Sequence, residues 1–239
     1  MRLLLTRPRD DAEALAETLR GHGHVAIVAP IMEVHLLPGP PLTLDGVQGV
    51  LATSANGIRA LAARTARRDL TVYAVGPQTS ESARTAGFPV VINADGDSTA
   101  LVETVARAAD PAKGRLLHAA GAETAGRLRQ ALQARGFRVE TTVLYEAVPV
   151  IKLPTEAAEN LRNETLDGVL LFSPRSAKTF ATLVMEAELA PQCARLTAYC
   201  ISAATAEALQ PLTFGRIAVA GTPNQDAILD LIPAPEARA

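Results

Sequence analysis

The sequence predicts an α/β protein with two parallel sheets, each covered by helices on both faces. Two observations carry this prediction. Short, wholly apolar strands alternate with helical stretches along the chain, and the pattern occurs twice.

The strands read as runs near 2–6, 25–29, 49–53, 71–75 and 90–92, then 115–119, 138–143, 168–172, 197–201 and 216–219. Helical patterns of roughly 12 residues separate them. Runs that are apolar throughout, rather than alternating with polar residues, suit strands buried on both faces of a parallel sheet. Helix boundaries agree with this order. Pro8 falls just inside the first helix, and Ser54, Asp97 and Ser173 stand at capping positions, where a short oxygen side chain accepts an otherwise unpaired backbone N–H. Gly23, Gly87, Gly136 and Gly215 each follow a helical pattern, where a left-handed turn favours glycine.

The repeat is visible residue by residue. Arg2-Leu3-Leu4 and Arg115-Leu116-Leu117 open equivalent strands, and Gly23 and Gly136 precede the next pair, both at an offset of 113. Glu33 and Glu146 keep that spacing. Gly49-Val50-Leu51 corresponds to Gly168-Val169-Leu170 at an offset of 119, and Val75-Gly76 to Ile201-Ser202 at 126. The growing offset reflects longer loops in the second copy. A period this long marks a duplicated half-protein, not a solenoid.

Ten strands divide into two five-stranded sheets. The stretches 31–41 and 143–154 lack a helix, are rich in β-branched residues and proline, and occupy equivalent places in the two copies. Paired as linkers, they would separate an inserted domain, 42–142, from a discontinuous one made of 1–30 and 155–239. A split halfway along the chain is the alternative.

Composition excludes several classes. The chain has 239 residues, 48% hydrophobic and 20% charged, as in folded globular proteins. Only 3% are aromatic and none is Trp, so packing falls to aliphatic side chains. Net charge is −2, from 23 basic and 25 acidic residues. Without a basic block, nucleic-acid binding is not expected. Cys193 and Cys200 form no CxxC and read as interior thiols. The apolar run at the amino terminus, Leu3-Leu4-Leu5, is too short for a signal peptide or a membrane span. A cytoplasmic protein is expected, which makes the Asn163 sequon a coincidence.

Catalytic motifs are mostly missing. His22, His24, His35 and His118 show no metal-ligand spacing, with or without the cysteines. Gly21-His22-Gly23 imitates a dinucleotide fingerprint but precedes a strand instead of following one. No P-loop and no nucleophile elbow occur.

Six stretches, in order, resemble the uroporphyrinogen-III synthase family. They are Leu5-Thr6-Arg7-Pro8, Thr53-Ser54-Ala55-Asn56-Gly57-Ile58, Ala74-Val75-Gly76-Pro77-Gln78-Thr79, Val143-Leu144-Tyr145-Glu146-Ala147-Val148-Pro149, Phe172-Ser173-Pro174 and Ile201-Ser202-Ala203-Ala204-Thr205. The resemblance implies two flavodoxin-like domains joined by a two-stranded linker, an active site in the cleft between them, no cofactor and no metal. It favours the discontinuous division over the halfway split. The implied substrate is hydroxymethylbilane, a linear tetrapyrrole with acetate and propionate groups on every ring. The family reaction, a step of haem biosynthesis, expels the terminal hydroxyl as water and inverts the last pyrrole through a spiro intermediate as the ring closes. A monomer is expected, receiving substrate by transient handover from hydroxymethylbilane synthase.

Thr53, Ser54, Thr79, Ser173 and Thr205 are expected beyond the carboxyl ends of strands, immediately before helices. Ligands of open α/β sheets bind there, and helix starts offer N–H groups and a positive dipole end to carboxylates. Arg7 and Arg175 supply local positive charge. Tyr145, which matches the family's tyrosine, is the candidate acid, since a phenol is protonated at neutral pH. Tyr73 and Tyr199 read as structural. The rival function is a non-catalytic two-domain sensor or binding protein for a tetrapyrrole or other small molecule, on the same fold.

Overall fold

The structure, a computed structural model, describes residues 1–123 and 126–234. The first strands are β1 (Arg2–Leu5), β2 (Val25–Val28), β3 (Met32–Leu36), β4 (Val47–Ala52), β5 (Thr71–Ala74) and β6 (Val91–Asn93). The rest are β7 (Arg115–Gly121), β8 (Arg138–Pro149), β9 (Gly168–Leu171), β10 (Thr197–Cys200) and β11 (Arg216–Val219). The helices begin with α1 (Arg9–Gly21), α2 (Ala55–Arg64), α3 (Pro77–Thr85), α4 (Ser98–Ala108) and α5 (Arg127–Gln133). They end with α6 (Thr155–Arg162), α7 (Pro174–Glu186), α8 (Ala190–Cys193), α9 (Ala203–Glu207) and α10 (Gln225–Leu229).

The chain forms two compact units, one of Met1–Glu33 with Val148–Ala239 and the other of Val34–Ala147. The α/β class with two parallel-rich sheets is as the sequence predicts. One sheet has five strands in the order β11-β10-β9-β1-β2; the other has six, β3-β8-β7-β4-β5-β6. Two five-stranded sheets were expected, and the sixth strand is the correction. Met32–Leu36, expected to pair with the stretch 143–154 as a two-stranded linker, lies beside β8 as an edge strand of the larger sheet, where the Leu37 N–H donates to the Leu144 carbonyl at 2.8 Å. An extended, β-branched segment next to an open sheet edge satisfies its backbone groups by joining it.

In the first unit Leu3, Leu4 and Leu5 are all fully buried. Successive strand side chains point to opposite faces, so β1 is covered on both. Leu3 and Leu5 pack with Leu15, Leu19 and Leu170 on one side. In the second unit Val50 and Ala52 join a cluster with Ile58, Leu61 and Leu117. Leu51, between them in sequence, joins Leu101, Leu116 and Leu132 on the opposite face. Cys193 and Cys200 are interior thiols, both pushed up to about 11 by burial.

The local expectations fare unevenly. Ser54, Asp97 and Ser173 cap α2, α4 and α7 through their side chains. Pro8 is the residue before α1 rather than its first member. Gly23, Gly87 and Gly136 adopt positive φ. Gly215 does not; a Cβ there would lie 2.7 Å from the Ala194 carbonyl oxygen, so close backbone approach is what requires a glycine.

Candidate active site

In both units the sheet order reverses at one place. In the first, β1 leads to β2 on one side, while its other neighbour, β9, leads to β10 away from it. In the second, β4 leads to β5 and its neighbour β7 leads to β8 in the opposite direction. A crevice at the strand carboxyl ends forms where neighbouring connections diverge, and it is the usual ligand site of open α/β sheets. The residues following β1, β9, β4 and β7 therefore stand at the two reversal points.

After β1, Thr6 is buried and its hydroxyl donates to the Leu170 carbonyl at 3.0 Å, tying β1 to β9. Arg7 lies with its guanidinium carbon 4.4 Å from the centroid of the Phe172 ring. It donates to Gln225 Oε1 at 3.1 Å and pairs with Asp11 at 3.5 Å. Stacking and pairing hold this charge in one orientation. After β9, Ser173 Oγ accepts the Ser176 N–H at 3.0 Å and lies 2.9 Å from Ser176 Oγ. Ser202 and Thr205 repeat the arrangement at α9. The Thr205 N–H reaches Ser202 Oγ at 3.3 Å, and the two hydroxyl oxygens are 3.0 Å apart.

After β4, Ser54 Oγ accepts the Asn56 N–H at 3.1 Å. Thr53 Oγ1 lies 3.4 Å from Nε2 of His118. His118 is buried in β7, and burial pushes its imidazole down to about 4, so the ring is neutral at physiological pH. At the end of β7, Gly121 is paired with Tyr145 of β8 across a bulge, and the Ala122 N–H donates to the Tyr145 carbonyl at 2.9 Å. Tyr145 is half-buried, packed against the cluster of Val50, Ile58 and Leu117.

Two expected positions differ from the prediction. Thr79 and Thr205 lie inside the first turns of α3 and α9 and are buried, not placed before those helices. The caps are Gly76 and Ser202. Helix starts also offer fewer donors than their number suggests, because α3 and α7 open with Pro77 and Pro174, which lack an N–H. The sequence reading passed over Ser202 and Ser176. The spacing Ser173-x-x-Ser176 and Ser202-x-x-Thr205, a hydroxyl cap followed three residues on by a second hydroxyl, is a usable signal for them. His118 had no such signal, since only the folded sheet brings it beside Thr53.

No group of three or more His, Cys, Asp or Glu placed to hold a metal occurs among the described residues. No helix among them is long and apolar enough to cross a membrane.

These features define an open α/β protein that presents hydroxyl-capped helix starts at its strand-end crevices. A sequence model of the family described as Uroporphyrinogen-III synthase HemD matches residues 13–230. The chain belongs to the uroporphyrinogen-III synthase family, enzymes that act as cyclising lyases in tetrapyrrole biosynthesis. Among solved structures, uroporphyrinogen-III synthetase from Helicobacter pylori matches with a TM-score of 0.61 at 17% identity, covering 97% of this chain and 98% of its own. That likeness is one of fold. A mutant uroporphyrinogen III synthase from the extremely thermophilic bacterium Thermus thermophilus matches at 19% identity over 96% of both chains, with a TM-score of 0.46. No curated protein sequence matches. The sensor alternative gains nothing from these matches.

Proposed function

We propose that this chain closes hydroxymethylbilane into uroporphyrinogen III, in the cytoplasm, as a monomer needing neither metal nor nucleotide. Hydroxymethylbilane synthase hands it the substrate. One observation carries the assignment of roles: in both units the hydroxyl-capped helix starts stand where the sheet order reverses. Thr53, Ser54, Ser173 and the guanidinium of Arg7 bind the substrate's carboxylates there. Thr79 and Thr205 support the starts of α3 and α9 from inside their first turns. Charge-assisted hydrogen bonds of this kind bind carboxylates without a basic protein surface.

Tyr145 is the proton donor in this reading. The phenol proton leaves with the terminal hydroxyl as water. The resulting carbon electrophile is attacked by the substituted carbon of the last pyrrole, and rearrangement through the spiro intermediate inverts that ring. The proton released on closure balances the one donated, so the net change is loss of one water.

The domain boundaries belong to the same proposal: 42–142 and 1–30 with 155–239 as flavodoxin-like domains, joined by 31–41 and 143–154. In support, β2-β1-β9-β10-β11 and β8-β7-β4-β5-β6 are one spatial order once repeated strands are equated, and that order is the flavodoxin one. This favours an internal duplication. The linker reading rests on the register in which residue 37 bonds to 144 and residue 150 to 31, an outgoing chain beside a returning one.

The test supplies freshly prepared hydroxymethylbilane to purified protein, oxidises the products and separates the porphyrin isomers. Isomer III above the spontaneous isomer I is the expected result. Isomer I alone, from folded protein, overturns the assignment.

A further inference from the structure

Gly121 has no conformational reason to be glycine, because its φ lies outside the left-handed region. It has a steric one. A Cβ at this position would lie 2.8, 2.9 and 3.0 Å from Cζ, Cε2 and the hydroxyl oxygen of Tyr145. The outer end of the phenol therefore rests on the bare Cα of Gly121, at the carboxyl end of β7 where the sheet order reverses.

The other two tyrosines show why this matters. Tyr73 lies over Gly49 and Tyr199 over Gly168, with Cε2 at 2.7 and 2.8 Å from the would-be Cβ. Those glycines also face neighbouring backbone, with the Thr71 carbonyl oxygen at 3.1 Å and that of Thr197 at 2.7 Å, so a side chain there collides with atoms that cannot yield. Both rings are buried. At Gly121 all three nearest atoms belong to the Tyr145 side chain, which is only half-buried. A methyl group at 121 thus meets the phenol before any backbone atom, and the phenol is what must move to admit it.

We propose that Gly121 is a positioning residue that sets the location of the Tyr145 hydroxyl for proton donation. The inference rests on the proton-donor role given above to Tyr145. A displacement of about 1 Å at a reacting group is enough to lower a rate by roughly 100-fold.

The experiment is a double-mutant cycle of Gly121→Ala and Tyr145→Phe, reading kcat and KM for isomer III formation. It is run beside spectra of protein labelled with 13C at the tyrosine ζ position, which gives three signals. Gly121→Ala should lower kcat at least 10-fold with KM within about 2-fold, leave the melting temperature nearly unchanged and move one tyrosine signal. In the Tyr145→Phe background it should cost nothing further. The inference is overturned if Gly121→Ala leaves kcat unaltered while Tyr145→Phe lowers it. It is overturned equally if the two losses multiply. An unimpaired Tyr145→Phe enzyme removes the donor role itself, and the inference with it.

Discussion

Beside Thr53, His118 is a buried imidazole held neutral by desolvation, with its pKa lowered to about 4. The folded protein takes up this proton only below the pH at which the unfolded chain does. The contribution to stability is therefore full above about pH 6.5 and declines as the pH falls toward 4, by at most about 1.4 kcal/mol per pH unit. Replacing His118 by Gln should flatten that part of a stability-against-pH curve measured by denaturant unfolding; an unchanged slope would assign the acid sensitivity to other groups. Tyr145 makes a different prediction. Tyr145→Phe should lower kcat more than it raises KM, because the proposed proton donation takes place in the transition state. Unchanged turnover would remove it from proton transfer.

Among the elements, the hydroxyl caps hold helix starts, and measurement separates that duty from the substrate binding proposed for them. Ser173→Ala removes the bond to the Ser176 N–H and should cost about 1 kcal/mol of stability through the cap. Loss of the proposed substrate contact should also raise KM, so stability and KM both need measuring. Thr205→Ala should weaken binding less, because its hydroxyl is buried and touches Ser202, so that its proposed part in binding is indirect. The strands make a harder prediction. Gly168→Ala should destabilise by roughly 1–3 kcal/mol, the usual cost of overpacking, because the added methyl meets the Thr197 carbonyl and the Tyr199 ring together. A melting temperature equal to that of the unmodified protein would show that β9 and β10 can separate to admit it.

For the whole molecule, chain path decides which fragments fold. The stretch Val34–Ala147 is continuous and holds two hydrophobic clusters on the two faces of its sheet. Expressed alone, it should melt cooperatively by circular dichroism. The stretch Val148–Ala239 lacks β1, which sits between β9 and β2 in the five-stranded sheet, and it should remain unfolded until residues 1–33 are supplied. A cooperative transition from 148–239 alone would show that β9, β10 and β11 suffice without their neighbour.

Apolar runs such as Leu3-Leu4-Leu5 and Val169-Leu170-Leu171 determined the strands without help, because burial on both faces leaves no polar position along them. Ser54 and Ser173 were legible for a similar reason: a cap bonds to backbone two or three residues away. Pairing of the stretch around Met32–Leu36 with that around residue 144 was expected, but its place as the sixth strand of a sheet was not legible, since an extended segment joins a sheet only when a neighbouring edge is there to bond it. Nor was the burial of Thr79 and Thr205, which depends on how their helices pack. His118 beside Thr53, 65 residues apart, and the ring of Tyr145 on Gly121 are products of strand order. Tertiary structure alone decides these, because local sequence sets which residues are extended or helical, while the order of strands in a sheet is set by long-range pairing.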